Sequence, residues 1–342
     1  MSYLRDRLLQ AAVTMYAIVT LAYFLNRSMP GGPVEFLREE IRQNPDRYGL
    51  PQNPTEEEVN RAIEQMINLP PDEPIMEAYV NYMIEVFLYQ DLGESIIIAP
   101  GADVFELIML AAPWTIFLSV IALIYGLVVG IILGSVMAYY EGTKFDVGMT
   151  VAMIVNSGIP YYVAAIFLLY VFAFQLGWFP TSGRVDPNAE AGLNFEWITS
   201  VFYHAALPSL SFIVVGFGGG ALGMRANSIR LLGSEYVRNA ELRGLSTYRI
   251  SVTYLARNAI LPIWTSVVIG LGGILGGSVI MEMIFAYPGM GLLMFDAAIE
   301  RDFPVLMGAL VITTFLFVVG TIIADFTYPL IDPRADVKES RE

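Results

Sequence analysis

Cysteine is absent from this 342-residue chain, histidine occurs once and lysine only twice. Without thiols the chain forms no disulfides, no thiolate nucleophile and no cysteine-ligated metal centre. The chain also lacks the phosphate loop G-x-x-x-x-G-K-[ST] and the zinc motif H-E-x-x-H. These absences argue against nucleotide binding by that loop and against a usual catalytic zinc site, so we expect no cofactor bound by this chain.

Charge is scarce as well. Charged residues make up 15% of the chain and hydrophobic residues 56%, whereas soluble domains carry about 25% charged residues. Such a composition is typical of a protein that lives in a lipid bilayer.

Long charge-free runs locate the expected membrane spans, because about 20 apolar residues cross the hydrocarbon and a central charge is costly. The six runs are Leu8–Asn26, Leu107–Tyr140, Val147–Gly183, Ile198–Met224, Asn258–Met281 and Phe303–Ala324. The second and third exceed one crossing, which predicts tilt, extension beyond the lipid or a terminal loop such as Trp178–Gly183. We therefore expect an all-α membrane protein with six transmembrane helices.

Arginine and lysine give the orientation, because they resist translocation. Placing both termini inside puts 12 of the 19 basic residues there, so N-in and C-in is the favoured topology. The net charge of −14 is then mainly a property of the outer side. Acidic surfaces with little lysine are typical of proteins adapted to high salt, which suggests a halophilic archaeon. Attraction of cationic solutes is the alternative explanation.

A polar segment of about 75 residues separates the first two runs and predicts a small external helical insertion. Thr55 precedes three glutamates and predicts a helix N-terminus, with an apolar stripe that begins at Val59. A second helix is expected over Ile75–Tyr89. The expected division of the chain is an N-terminal segment with the first span at 1–29, the insertion at 30–104, a core of five spans at 105–334 and a cytoplasmic tail at 335–342.

One polar interruption lies between the fourth and fifth runs, at residues 235–262. Glu235–Arg243 predicts a short helix, Gly244 permits the positive φ that ends it, and Ser246 can cap the next helix. The interruption and its flanks, residues 225–257, carry six arginines. From the residues alone, two interpretations remain equally open: a docking site for a soluble partner, or an anchor on anionic lipid headgroups.

Other candidate residues lie in or near the expected spans. Glu282 and Asp325 are ionisable groups near predicted span ends, which leaves an ion-coupled carrier as an alternative. His204 leaves open an intramembrane hydrolase, although an interfacial histidine at a helix start is the simpler explanation. A final set permits close helix packing or lines a solute path. That set is Gly272, Gly273, Gly276, Gly277, Ser278 and Glu282.

The interruption resembles a known family. Arg238-Asn-Ala240-x-x-x-Gly244 followed by Arg257-Asn-Ala-Ile-Leu-Pro262 is similar to the ATPase-coupling loop of ABC importer permeases of the dipeptide, oligopeptide and nickel group. Further stretches agree with this family in order along the chain. They include Met29–Pro33, Asp91–Ser95, Ala112–Pro113, Gly177–Gly183, His204–Leu210, Glu282–Gly291, Arg301–Pro304 and Asp332–Arg334.

This resemblance implies a B-type permease subunit that performs no hydrolysis itself. Its expected partners are a second homologous permease, two cytoplasmic ATPases that carry ATP and magnesium, an external solute-binding lipoprotein and the lipid membrane, but no nucleic acid. Peptides are the expected cargo, with nickel or sugars as alternatives. The residues implied in ATPase coupling are Glu235, Tyr236, Arg238, Ala240, Arg243, Gly244, Leu245, Ser246 and Arg249.

Overall fold

The computed structural model describes residues 2–28, 33–67, 74–259 and 279–331, and this part of the chain is predominantly helical. Four of its helices are long and apolar enough to cross a membrane, and a bent helix pair raises the number to five. The all-helical prediction is confirmed for these residues. Most of the fifth predicted span, Asn258–Met281, lies outside them.

The described helices are numbered in chain order. They are α1 (Ser2–Arg27), α2 (Pro33–Gln43), α3 (Glu56–Ile67), α4 (Ile75–Ile84), α5 (Val104–Tyr139), α6 (Lys144–Ser157), α7 (Tyr161–Leu168), α8 (Phe195–Ile229), α9 (Glu235–Leu242), α10 (Thr247–Arg249), α11 (Ala256–Ala259), α12 (Val279–Ile284), α13 (Met290–Glu300) and α14 (Phe303–Ile331). A 3₁₀ turn covers Pro45–Tyr48, and π-helical turns cover Glu85–Tyr89, Leu169–Gln175 and Ile250–Leu255. The chain divides into two compact units, the first from Met1–Pro113 with Gly289–Val318 and the second from Trp114–Pro288 with Val319–Glu342.

In the first unit, the predicted helix start at Thr55 is confirmed. The backbone N–H and the hydroxyl of Thr55 donate to the Glu58 carboxylate at 2.8 and 2.9 Å, and the Glu58 N–H donates back to the Thr55 hydroxyl. This capping box satisfies N-terminal groups of α3. The hydrogen bond from the Thr55 backbone N–H, reinforced by the hydroxyl, holds the pKa of Glu58 below its ordinary value.

A buried carboxylate joins two distant segments of the first unit. Asp302 is fully buried, and its Oδ2 accepts hydrogen bonds from the Ser95 hydroxyl at 2.6 Å and from the backbone N–H groups of residues 96, 97 and 98 at 2.9 to 3.1 Å. Arg301 adopts a positive φ of 62° and places its guanidinium 5.1 Å from the centre of the Phe36 ring. The short stretches Asp91–Ser95 and Arg301–Pro304 thus form one structural contact.

In the second unit, the third predicted span is not one straight helix. Helices α6 and α7 meet at an angle of 90° across the break at residues 158–160. Pro160 is the N-cap residue of α7 and offers no N–H to continue the ladder of α6, which explains the break. After the π-helical turn, the predicted loop Trp178–Gly183 is confirmed as irregular backbone.

Close helix packing in the second unit depends on glycine. A Cβ at Gly134 of α5 would lie 2.6 Å from the Met224 Cβ and 2.9 Å from the Arg225 backbone nitrogen, so only glycine fits this contact with α8. A Cβ at Gly218 would meet the Ser157 hydroxyl at 2.7 Å. Helices α5 and α6 therefore each approach α8 at backbone distance.

Candidate coupling surface

The segment after α8 folds as two short helical pieces joined at a glycine corner. Helix α9 occupies Glu235–Leu242, and Gly244 follows with a φ of 70° in the left-handed region. The Ser246 hydroxyl accepts from the Arg249 N–H at 3.4 Å and so caps the piece that follows. The local structure predicted for residues 235–249 is present in the structure.

A small apolar core supports this corner from beneath. Val237 and Ala240 of α9 are buried against Ile250 and Leu255 of the following π-helical turn. Half-buried side chains from the end of α5 and from the turn after α8 pack around them, among them Tyr139, Leu231 and Leu232. Because the two pieces bury a common core, the corner is a packed element and not a loose loop.

The opposite face of the segment projects away from that core. Arg238, Arg243 and Arg249 are exposed, and within the described residues none of the three forms an ion pair. Two large apolar side chains lie among these arginines: Leu242 is 78% exposed and Tyr248 is 65% exposed. We call the face formed by Arg238, Leu242, Arg243, Tyr248 and Arg249 the coupling surface.

The structure divides the residues implied in ATPase coupling into three groups. Exposed are Glu235, Arg238, Arg243, Gly244, Ser246 and Arg249; half-buried are Tyr236 and Leu245; buried is Ala240. The last three therefore shape the support of the segment. Sequence reasoning missed Leu242 and Tyr248, although an apolar residue four positions after Arg238 on a polar face was a usable signal.

A buried ion pair lies at the base of the segment. Asp146 near the start of α6 is 2% exposed, and Arg225 near the end of α8 grips its carboxylate through Nε at 2.6 Å and Nη2 at 2.7 Å. The Gly142 N–H donates to the same carboxylate at 3.0 Å. This two-pronged geometry fixes distance and angle together. It ties α6 to α8 four residues before α8 ends.

The remaining candidates are placed differently. Glu282 in α12 is 1% exposed, and its carboxylate accepts from the Thr115 hydroxyl at 2.8 Å, so it does not extend toward water as a charge at a span end was expected to. Residues 272, 273, 276, 277 and 278 lie outside the described residues, as does the side chain of Asp325.

His204 has a local partner. Its Nδ1 lies 2.8 Å from the Ser200 carbonyl oxygen one helical turn earlier. With Tyr203, Asp186 and Glu196 it lines an open depression of about 580 Å³. Among the described residues no cluster of His, Cys, Asp or Glu could hold a metal ion. The imidazole thus bonds to its own helix.

Comparison with known proteins decides the family. Residues 130–337 match the family described as binding-protein-dependent transport system inner membrane component. The chain belongs to this family. The matched residues include α9, the glycine corner and the ion pair. With several helices long and apolar enough to cross a membrane, this inner membrane component is a multi-pass membrane protein.

Curated relatives match along almost the full length. The chain is 30% identical over 341 residues to the oligopeptide transport system permease protein AppB of Bacillus subtilis, covering 98% of this chain and 99% of the relative. It is 27% identical to the di/tripeptide transport system permease protein DppB of Pseudomonas aeruginosa and 29% identical to the oligopeptide permease OppB of Haemophilus influenzae, each covering 98% of this chain and at least 98% of the relative.

A solved structure shares the fold. The inward-facing methionine ABC transporter MetNI aligns with a TM-score of 0.51 at 15% identity, covering 66% of this chain and 97% of the aligned chain. The family match and the full-length permease relatives together show that the chain is the permease subunit of a binding-protein-dependent transport system. Members of this family work in general with a partner permease, ATPases and a substrate-binding protein.

Proposed function

We propose that the coupling surface is the seat of a cytoplasmic ATPase subunit, and that ATP and magnesium are bound by two such subunits and not by this chain. The observation that carries the proposal is the exposed pairing of arginines with Leu242 and Tyr248 on a helical corner that has its own core. Large apolar groups ringed by arginine are typical of the centre of a protein interface.

The support of the surface favours force transmission over lipid anchoring. Val237 and Ala240 hold α9 on the turn after α8, and the Asp146–Arg225 pair holds α8 on α6. A force applied to α9 would therefore move α9, the end of α8 and the start of α6 together. Binding to lipid headgroups requires only flexible basic side chains, so it does not account for the packed core and the ion pair beneath α9.

The wider architecture that we propose has six spans with both termini inside. A second homologous permease would complete the solute pathway, and an external binding lipoprotein would deliver the solute. Closure of the ATPase dimer would turn the coupling segments as rigid bodies and switch the pathway between its two openings. An ion-coupled carrier was the sequence-based alternative, and membership of a binding-protein-dependent family argues against it.

For the substrate we propose di- or oligopeptides. The three relatives named above carry oligopeptide or di/tripeptide transport in their names. Nickel and sugars are the alternatives within the same group of importers. The acidic, lysine-poor composition supports a halophilic archaeal source, where the charges would keep the outer surface hydrated.

Co-purification and uptake test the proposal. The permease, expressed with its partner subunits, would carry either Leu242→Asp or Arg243→Glu. We expect both variants to lose ATPase from the purified complex and to lose peptide uptake in proteoliposomes, because each places an acidic group on the coupling surface. Leu193→Asp is the matched control: Leu193 is 94% exposed and precedes α8, about 50 Å from its other end.

The control should keep both ATPase and uptake. If the two coupling variants also keep both, the surface does not bind the motor and the proposal is wrong. If they keep the ATPase but lose uptake, the surface transmits force without providing the binding energy, and the docking part of the proposal fails.

A further inference from the structure

Helix α4 in the insertion has an outer face unlike that of its neighbours α2 and α3. The outward positions of α2 and α3 are charged, as at Glu39, Glu57 and Arg61. On α4 and the π-helical turn that continues it, most exposed positions are apolar: Met76 is 63% exposed, Val80 49% and Leu88 75%, with Glu77 and Asn81 as the exposed polar residues. In water such a stripe would be unfavourable.

The inner face of α4 packs against two helices that can span the membrane. Tyr79, Met83 and Val86 are buried in one cluster with Val19 and Tyr23 of α1 and with Met307 and Val311 of α14. Both α1 and α14 meet the length and apolarity of a span. The buried side of α4 is therefore covered by membrane-spanning helices and not by the charged pair α2 and α3.

The depth of this contact can be read from α1. The Tyr79 hydroxyl donates to the Tyr16 hydroxyl at 2.9 Å and lies 2.8 Å from the Thr20 hydroxyl. Tyr16 is 11 residues from the charged Arg27 and 9 from Arg7, or about 16 and 14 Å along the helix. Because the hydrocarbon is about 30 Å thick, Tyr79 reaches α1 near the middle of its apolar stretch.

We propose that Ile75–Tyr89 is embedded in the bilayer beside α1 and α14, without crossing it, and that its outer face at Met76, Val80 and Leu88 contacts lipid acyl chains. This assignment is independent of the substrate and of ATPase docking. The insertion then combines a water-exposed pair, α2 and α3, with a lipid-facing helix.

Two observations favour lipid over a second permease as the occupant of this face. Helix α1, which packs against α4, also exposes large apolar residues, such as Leu21 at 61% and Leu25 at 60%. Its side chains are also large, whereas helices that pack on each other in membranes meet through small residues. Only Glu77 and Glu85 carry charge among the 15 residues.

Spin labelling tests the placement, because this chain has no native cysteine and an introduced cysteine is its only labelling site; accessible cysteines of the partner subunits are replaced beforehand. Val80→Cys and Leu88→Cys would carry a nitroxide in the full transporter complex, reconstituted in phosphatidylethanolamine and phosphatidylglycerol vesicles. Leu21→Cys is the lipid reference and Glu57→Cys the aqueous reference. Power saturation compares collisions with oxygen, which concentrates in lipid, and with a water-soluble nickel chelate.

We expect oxygen collisions to exceed nickel collisions at both α4 positions, as at Leu21, and the opposite order at Glu57. Nickel collisions that dominate at Val80 and Leu88 would show an aqueous helix and overturn the proposal. Low collision rates with both reagents would show that protein covers the face and would overturn it equally.

Discussion

Removing the Arg225 side chain should destabilise the permease and uncouple solute transport from ATP hydrolysis. The guanidinium grips a carboxylate that is 2% exposed, through contacts of 2.6 and 2.7 Å. Breaking a buried pair by removing one partner costs roughly 3–5 kcal/mol, because the remaining charge is left without compensation. Arg225 itself is 23% exposed, so water can recover part of the loss. We therefore expect about 3 kcal/mol for Arg225→Ala.

Companion variants separate charge from geometry. Arg225→Lys keeps the charge and loses the planar fork, so it should cost about 1 kcal/mol. Asp146→Leu combined with Arg225→Met removes both charges and should recover most of the stability lost in Arg225→Ala, because no charge stays buried alone. Such recovery would distinguish an uncompensated charge from a simple loss of packing.

Two measurements check this prediction. Thermal unfolding of the permease in the purified complex should shift by roughly 4 °C for Arg225→Ala. In proteoliposomes, the ATP hydrolysed per solute transported should rise, because α6 no longer follows α8. The prediction is refuted if the Arg225→Ala complex melts within about a degree of the wild type and hydrolyses the same amount of ATP per solute transported.

Three further substitutions follow from the packing. Gly134→Ala should abolish the folded permease, because the added methyl group would lie 2.9 Å from a backbone nitrogen of α8. Gly126→Ala on the same helix is the control, because its methyl group would have no atom within 4 Å. The yield of folded protein in size-exclusion chromatography should be lost for the first variant and kept for the second. At Gly244 a side chain would have open space, but the φ of 70° strains any residue other than glycine. Gly244→Val should therefore add backbone strain of about 1–2 kcal/mol, distort the corner and uncouple uptake from ATP hydrolysis, with normal insertion into the membrane. Unchanged uptake would contradict this prediction. Asp302→Ala leaves buried N–H groups without an acceptor and should cost about 3 kcal/mol in thermal unfolding. The exposed Glu300→Ala is its control, and equal melting of the two variants would contradict the assigned role.

The sequence predicted features whose physics is local. The capping box at Thr55 needs only residues three positions apart, and the corner at Gly244 needs only a residue that tolerates positive φ. Both are present in the structure. The apolar runs likewise predicted the long helices, because the lipid requirement acts on each helix separately.

Features that depend on distant partners could not be predicted. Asp302 and Ser95 are 207 positions apart, and nothing in either stretch indicates that one carboxylate accepts four hydrogen bonds from the other. The same holds for Thr115 beside Glu282 and for the Asp146–Arg225 pair. The 90° break before Pro160 had a local signal, but hydropathy alone treats residues 147–183 as one apolar run.

The separate core of the coupling segment has a consequence for how transporters diversify. The bend is stabilised by four buried side chains, those of Val237, Ala240, Ile250 and Leu255. The exposed side chains of the coupling surface do not contribute to this core. If the coupling surface binds the ATPase as proposed, substitutions confined to that surface would change which ATPase binds without changing the fold. A chimaera in which only the coupling surface is exchanged between paralogous transporters should bind the donor's ATPase subunit and still transport the recipient's solute.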